Sequence, residues 1–150
     1  MFINKKTLLI YAMVSSISIN IYANNINDGA KIFEKKCAMC HLVGKPVNKM
    51  DKESRVAPPI DMAMKSVVVT IDAVDGPFSD QQLKEETIKF LKDYVYAPSI
   101  DKTNCEDKVI KKFGTMPSLK GFITPRELDI VLPWIYDTFK PIKINGEYQK

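Results

Sequence analysis

The sequence predicts one small all-α domain, and three observations support that prediction. The chain has 150 residues, which is enough for one compact core and too few for two. Helix signals dominate, because capping boxes and amphipathic runs follow one another along the chain. The composition is 45% hydrophobic and 27% charged, which is ordinary for a globular protein and argues against disorder or a coiled coil.

The N-terminus differs from the rest of the chain, and residues 1–23 have the three-part pattern of a secretory signal peptide. Lys5 and Lys6 form a short positive region, which an apolar run over residues 8–19 follows. Small Ala23 then precedes a polar stretch. Because a membrane span needs about 20 apolar residues, the run favours cleavage after Ala23 over a retained anchor.

Residues 24–150 then form the mature domain. Without the two lysines of the signal, this domain has 20 basic and 18 acidic residues and a net charge of +2. So small a charge lacks the basic stripe expected of a nucleic-acid-binding protein. A signal peptide predicts a periplasmic protein, in a compartment where thiols tend to oxidise. After cleavage the protein is expected to be a monomer without stable membrane insertion.

The helices are predicted in order along this domain. The first begins at Asn27 or Asp28 and runs toward Cys37. Residues 42–59 are predicted to be a loop because they contain one glycine and three prolines. The β-branched run 66–71 fits either a short strand or a buried helical turn, and both remain open.

Capping boxes at residues 79–82, 103–106 and 124–127 predict three further helix starts. The second helix of these is short and ends at Gly114, where a left-handed cap is expected. The helix after residue 79 is expected to turn these side chains inward: Leu83, Thr87, Phe90, Leu91, Tyr94 and Val95. The last helix is expected to bury Leu128, Val131, Leu132, Ile135, Tyr136 and Phe139.

The chemistry is concentrated around the single histidine, which two of the three cysteines precede. Cys37, Cys40 and His41 form the pattern Cys-x-x-Cys-His. Two thiols about one helical turn apart can add to the two vinyl groups on one edge of a haem, and the adjacent histidine can then ligate the iron. The motif therefore predicts one covalently bound haem c, with His41 as an iron ligand.

Three other interpretations fit parts of this motif. A thioredoxin-like redox pair is expected after a strand, whereas a helix is predicted before Cys37. A zinc site could add Cys105 to the three residues of the motif, but adjacent Cys40 and His41 are awkward joint ligands of one tetrahedral ion. A plain disulfide between Cys37 and Cys40 is the third interpretation. The haem interpretation is favoured over all three.

Methionine is the expected sixth ligand, because a chain with one histidine excludes two-histidine ligation. Met116 has the strongest context, since it follows a helix end and precedes Pro117 on a stiff extended loop. Met116 lies 75 positions after His41, which lets the chain reach the other haem face. Core filling is the alternative role of any methionine. The other candidates are Met39, Met50, Met62 and Met64.

With these features the chain resembles a class I cytochrome c over nearly the whole mature domain, in the expected order. The resemblance is carried by Gly29 and Phe33 before the attachment motif, Ala57-Pro58-Pro59-Ile60, Gly114-Thr115-Met116-Pro117 and a terminal amphipathic helix with Trp134.

The resemblance implies helices wrapped round one covalently bound haem, with His41 proximal and Met116 distal. It also implies that Gly29 and Phe33 pack against the C-terminal helix near Trp134. A glycine allows two helices to approach closely.

The resemblance also implies a role for Pro58, whose carbonyl would accept the proton on the other nitrogen of the histidine and fix its orientation. Ala57 stands where the family usually has glycine. Cys105 has no counterpart in the family pattern. It is interpreted as a buried or idle thiol, with an intermolecular disulfide as the alternative.

The predicted function is electron transfer rather than catalysis, with redox proteins as donor and acceptor, expected among membrane or periplasmic oxidoreductases. Two alternatives remain: a haem-bearing subunit of a larger periplasmic oxidoreductase, and a gas-binding or catalytic haem protein with an open iron site. Six lysines could surround the exposed haem edge and steer an acidic partner, or form an ordinary solvated surface. They are Lys45, Lys49, Lys52, Lys111, Lys112 and Lys120.

Overall fold

The computed structural model describes residues 28–149, and most of these residues are helical, which confirms the predicted all-α class. The predicted signal peptide and the candidate cap Asn27 lie outside the described residues. No helix within the described range is long and apolar enough to cross a membrane. The helices are α1 (residues 28–36), α2 (Lys49–Ser54), α3 (Ile60–Val74), α4 (Asp80–Tyr96), α5 (Asp107–Phe113) and α6 (Pro125–Phe139), with a 3-10 turn at Ile100–Lys102.

The core lies where α3, α4 and α6 pack against one another. The amphipathic pattern of α6 predicted its buried face correctly, except that Phe139 is only half-buried. On α4, Leu83, Thr87 and Val95 are buried as predicted. The other three predicted inward residues of α4 are only half-buried because they line a cavity. They are Phe90, Leu91 and Tyr94.

Helix α1 crosses α6 at close range, as the resemblance implied. A Cβ atom at Gly29 would lie 2.5 Å from the Cβ atom of Trp134, so only glycine fits at this crossing. Phe33, one turn along α1, packs with its ring centroid 5.3 Å from Trp134 and 5.5 Å from Phe139. This aromatic group fixes the end of α1, from which the Cys-x-x-Cys-His motif continues.

Two of the three predicted capping boxes are present, and the third prediction was wrong. Both hydrogen bonds of the box form at Ser79 before α4 and at Thr124 before α6. At the second site, the Thr103 hydroxyl instead accepts the backbone N–H of Cys105 at 3.3 Å, and α5 begins only at Asp107. The hydroxyl is used in a local turn, so it cannot cap the following helix.

The end of α5 also differs in detail from its prediction. Gly114 has the expected positive φ of 70°, but its ψ of −163° makes the backbone extended rather than left-handed helical. Glycine is required there because other residues avoid this region of backbone space. The chain therefore leaves α5 in an extended conformation toward Met116.

The structure decides between the strand and the helix that residues 66–71 allowed, and it adds elements that the sequence did not predict. Residues 66–71 belong to α3, so the β-branched run is helical. The predicted loop 42–59 contains α2, whose N-terminus the Asn48 side chain caps by accepting from the Asp51 N–H. The C-terminus forms an antiparallel hairpin of β1 (Lys143–Ile144) and β2 (Glu147–Tyr148).

Candidate functional site

The Cys-x-x-Cys-His motif forms a tight turn at the C-terminal end of α1. The backbone N–H groups of Cys37 and Ala38 both donate to the Phe33 carbonyl, so the turn grows directly out of the helix. The N–H of His41 then donates to the Cys37 carbonyl at 2.9 Å, and that of Cys40 donates to the same oxygen at 3.1 Å. These bonds hold two thiols and one imidazole in a fixed order within a single turn of chain.

His41 is oriented by the backbone at Pro58. Its Nδ1 atom lies 2.9 Å from the Pro58 carbonyl oxygen, which can only accept, so Nδ1 carries the proton. The Nε2 atom is then the nitrogen with a free lone pair, which is the form that binds a metal. The Ile60 N–H donates to the Leu42 carbonyl at 3.1 Å and brings the start of α3 beside the motif. The bond comes from Pro58 rather than from its neighbour Pro59.

Burial affects the protonation of this turn. Removal from water lowers the pKa of His41, and the hydrogen bond to Pro58 only partly offsets this. The imidazole is therefore neutral at pH 7. Burial, and secondarily the charge of Cys40, raises the pKa of Cys37 to about 11, so this thiol keeps its proton at neutral pH.

The three motif side chains line a cavity of about 400 Å³. This volume lies within the range of about 300–1,000 Å³ that is usual for small-molecule and cofactor sites. The walls come from all three core helices and are mostly apolar. They include Met64 and Val67 of α3, Phe90 and Leu91 of α4, and Val131 and Leu132 of α6. The half-burial of the inner α4 side chains follows, because they face this cavity rather than protein.

Met116 lines the same cavity, although it lies 75 positions after His41 in the sequence. Its loop is attached to the C-terminal end of α4, since the Leu119 N–H donates to the Val95 carbonyl at 2.9 Å and the Ser118 hydroxyl donates to the Tyr96 carbonyl at 2.7 Å. The loop also meets α1, because the Lys36 ammonium donates to the Phe122 carbonyl at 2.6 Å. The structure thus brings together all four predicted iron-binding and attachment residues.

The other methionines separate into two groups. Met50 and Met62 are well exposed and do not line the cavity, so neither can reach a group held inside it. Met39 lines the cavity but is largely exposed, and it lies within the motif itself. Met64 lines the cavity and is only 2% exposed, which makes it the one competitor of Met116 among these candidates.

Cys105 also lines the cavity, which the sequence did not predict. None of the three cysteines forms a disulfide with another, so the Cys37–Cys40 disulfide is not present. Within residues 28–149 no three His, Cys, Asp or Glu side chains come together as a metal site, and the zinc set with Cys105 is not assembled. No sequence signal places Cys105 at the cavity, because its position depends on how the loop before α5 folds back onto α3, where Ser66 donates to the Asn104 carbonyl.

Within residues 28–149, none of the six lysines predicted to surround the haem edge lines the cavity. Lys112 donates to the Lys52 carbonyl at 2.8 Å, which joins the last turn of α5 to α2. Lys49 pairs with Glu53 at 3.8 Å on the surface. Lys36 was not predicted, yet it is the cation that lines the cavity. It also lies 4.4 Å from the Phe122 ring centroid, so it forms part of the cavity rim.

A covalently bound haem fits these residues. The cavity offers a mostly apolar wall for the macrocycle, two thiols at one place on its lining, and a neutral imidazole whose second nitrogen is already fixed. A thioether on the same lining supplies the second ligand type that cytochromes c use.

Comparison with known proteins finds a family match over part of the chain, and that part does not include Met116. Residues 24–95 match the family model described as cytochrome C oxidase, cbb3-type, subunit III. The chain is 27% identical over 134 residues to an uncharacterized protein of Aquifex aeolicus (strain VF5). This alignment covers 83% of the chain and 84% of that protein. No solved structure matches the chain.

Proposed function

We propose, from the premise that the chain contains a class I-like cytochrome c domain, that it is a periplasmic carrier of single electrons. The observation that carries the proposal is the convergence of Cys37, Cys40, His41 and Met116 on one mostly apolar cavity. Haem c, when bound, supplies an iron that changes between its ferrous and ferric states. Residues 1–23, with their signal-peptide pattern, support the periplasmic location.

Attachment is assigned to the two cysteines of the motif, which would hold one haem through thioether bonds. The tight turn after α1 supports this role, because it presents both thiols from a short, hydrogen-bonded stretch of chain. A carrier that works outside the cytoplasm gains from a covalent bond, since a released cofactor would be lost.

His41 is assigned as one of the two residues that would ligate the haem iron. The Pro58 carbonyl holds the proton on Nδ1, which leaves Nε2 unprotonated and keeps the ring at a fixed angle. This arrangement favours small structural changes during electron transfer, because the imidazole does not have to turn or lose a proton.

Met116 is assigned as the other residue that would ligate the iron, and its thioether would raise the reduction potential relative to a second histidine. Its loop is fixed to α4 by backbone hydrogen bonds, so the thioether does not have to be ordered when it binds. Met64, in contrast, is packed in the core of α3, where filling space accounts for its burial.

The mostly apolar wall has its own effect on redox chemistry. Ferric haem carries one more positive charge than ferrous haem, and charge is costly to bury in apolar surroundings. Within residues 28–149, Lys36 is the one lining residue with a formal charge. Its positive ammonium also disfavours the ferric state. Both contributions raise the potential.

A second candidate, a haem-bearing subunit of a larger oxidoreductase, is favoured by the description of the matching family as an oxidase subunit. Co-purification from gently solubilised membranes separates the two candidates. Stoichiometric recovery with a membrane partner supports the subunit, whereas a freely soluble monomer supports the carrier.

The test of the proposal begins with absorption spectra of the oxidised and reduced protein, with and without carbon monoxide. We expect a haem c spectrum and slow or no carbon monoxide binding near neutral pH. Rapid binding would contradict Met116 ligation and favour an open iron site. Cys37→Ala combined with Cys40→Ala should abolish haem staining after denaturing electrophoresis, and surviving stain would contradict covalent attachment.

Methionine variants test which methionine side chain would ligate the iron. Met116→Ala should remove the sulfur-to-ferric-iron absorption band and lower the potential, because the thioether ligand is lost. Met62→Ala is the matched control, since this side chain is 52% exposed and outside the cavity. Persistence of the band in Met116→Ala, with its loss in Met64→Leu, would transfer the ligand role to Met64.

A further inference from the structure

The segment that follows His41 exposes apolar side chains that the core does not use. Helix α2 buries none of its residues. Val47 is 85% exposed and Met50, three positions later, is 80% exposed, and the two residues lie on either side of the start of α2. Val43 and Val56 are also well exposed. Such clustered exposure exceeds the scattered apolar residues of an ordinary surface.

Hydrogen bonds gather these side chains into one surface. The Arg55 guanidinium donates to the Gly44 carbonyl at 2.7 Å, which brings the chain around Val43 beside the chain around Val56. Arg55 also pairs with Asp51 at 3.1 Å. Lys112 reaches the Lys52 carbonyl and adds the last turn of α5. We call residues 42–56 together with Lys111 and Lys112 the apolar–basic surface.

This surface is strongly positive on a nearly neutral body. Residues 28–149 contain 19 basic and 18 acidic residues, whereas the apolar–basic surface contains six basic and two acidic ones. Its net charge is therefore +4, and the rest of the described chain has −3. Both of its acids are already paired, Asp51 with Arg55 and Glu53 with Lys49. Within the described range, four of its lysines pair with no carboxylate: Lys45, Lys52, Lys111 and Lys112.

We propose that the apolar–basic surface docks the protein on an anionic phospholipid surface. Free lysines attract anionic headgroups, and protruding Val47 and Met50 can enter the interface between headgroups and acyl chains. Lysine stems suit this position because the apolar stem stays with the lipid while the ammonium reaches water.

An acidic protein partner fits this surface less well. Protein interfaces are anchored mainly by aromatic residues and arginine. Residues 42–56 contain no aromatic residue, and their one arginine is only 6% exposed in its side chain and bound within the segment. The well-exposed apolar side chains of the segment are aliphatic or methionine, which are not the residues that usually anchor a protein interface.

The position of the surface gives the docking a use. It begins directly after His41, and Pro58, which holds His41, follows two residues after its end. Docking there keeps the cavity close to the membrane plane, where redox enzymes embedded in the bilayer can be reached by lateral diffusion. The lipid binding itself does not depend on the haem assignment.

The test is co-sedimentation of the purified full-length protein with lipid vesicles. We expect binding to vesicles of equal parts phosphatidylglycerol and phosphatidylcholine at low ionic strength, weak binding to phosphatidylcholine alone, and loss of binding in high salt. Lys45→Gln with Lys52→Gln should weaken binding by about 20-fold. Val47→Ser with Met50→Ser should weaken binding by about tenfold, because apolar surface no longer enters the lipid.

The matched control is Val74→Ser with Ile144→Ser, which removes two exposed aliphatic side chains near the C-terminal hairpin. Each variant should keep the parent absorption spectrum and melting temperature, which excludes misfolding. Control binding should equal that of the parent. No sedimentation of the parent with anionic vesicles would overturn the proposal and leave an acidic protein as the occupant. Unchanged binding by the Val47/Met50 variant would overturn insertion, and equal losses in all variants would show that the N-terminal segment or general charge carries the binding.

Discussion

The helical body and the segment between His41 and Pro58 are held together by different forces. In the body, α1, α3, α4 and α6 bury aliphatic and aromatic side chains against one another. In the segment, α2 buries nothing and is fixed by its Asn48 cap, the Arg55 contacts and the Lys112 bond. The two meet at His41, whose chain leaves α1 while its ring is held by Pro58. The position of the His41 ring therefore depends both on the packed core and on a segment that hydrogen bonds hold in place.

The largest effect is expected in the body. Leu83→Ala removes a buried side chain of α4 that does not line the cavity, so we expect the free energy of unfolding to fall by about 3 kcal/mol. Val47→Ala in the segment is the comparison, with a change below about 0.5 kcal/mol because that side chain is exposed. Urea unfolding of both variants measures the difference. Equal losses would mean that Val47 packs in the folded protein.

The next effect concerns the crossing of α1 and α6. Gly29→Ala places a Cβ atom 2.5 Å from that of Trp134, and we expect a net loss of about 2 kcal/mol, although alanine favours the helix itself. Thermal unfolding followed by circular dichroism tests this. A stabilised Gly29→Ala protein would show that the crossing can widen freely. Trp134→Gly should lessen the cost of Gly29→Ala when the double variant is compared with Trp134→Gly alone, since the Cβ atom of residue 134 is then absent.

The C-terminal hairpin is held by polar contacts, like the segment. Asp72 of α3 accepts from Lys143 at 2.6 Å and from the Tyr148 hydroxyl at 2.7 Å. The Lys143 bond is the main cause that lowers the pKa of Asp72, followed by the Tyr148 bond. Asp72→Asn should therefore cost about 1.5 kcal/mol at neutral pH.

The pH dependence of this contact has a definite sign. Because the folded pKa of Asp72 lies below its unfolded value of about 3.9, its stabilisation is complete above that value. The stabilisation is lost as the pH falls through the folded pKa. The melting temperatures of the parent and Asp72→Asn should differ at pH 7 and converge as the pH falls through the folded pKa of Asp72. A difference that persists in acid would mean that the substitution acts through shape rather than charge.

The smallest effect belongs to the segment. Gly44 has a φ of 78°, and nothing lies within 4 Å of where a Cβ atom would be, so Gly44→Ala should cost about 1 kcal/mol from backbone strain alone. Gly44→Asn should cost less, because asparagine tolerates this conformation. Chemical denaturation of both variants checks the order. If the asparagine variant loses as much as alanine, strain is not the cause.

These two kinds of region also differ in how well sequence predicted them. The buried face of α6 and the boxes at Ser79 and Thr124 follow from periodicity and local hydrogen bonding, which neighbouring residues decide. The box at Thr103 failed because its hydroxyl found a nearer donor, the Cys105 N–H. The hairpin was missed although Asn145 and Gly146 form a turn signal, since its strands have only two residues each.

The sequence by itself determined the all-α class and the Cys37–Cys40–His41 motif. It also showed that the chain has a single histidine, which makes methionine the expected second iron ligand. These depend on residue type and short spacing, which a linear pattern contains. Only the tertiary structure decided that Met64 and Cys105 line the same cavity as Met116, and that the apolar residues of 42–56 stay outside the core. Such outcomes depend on how helices distant in sequence pack, and no local pattern records which apolar side chains that packing leaves in water.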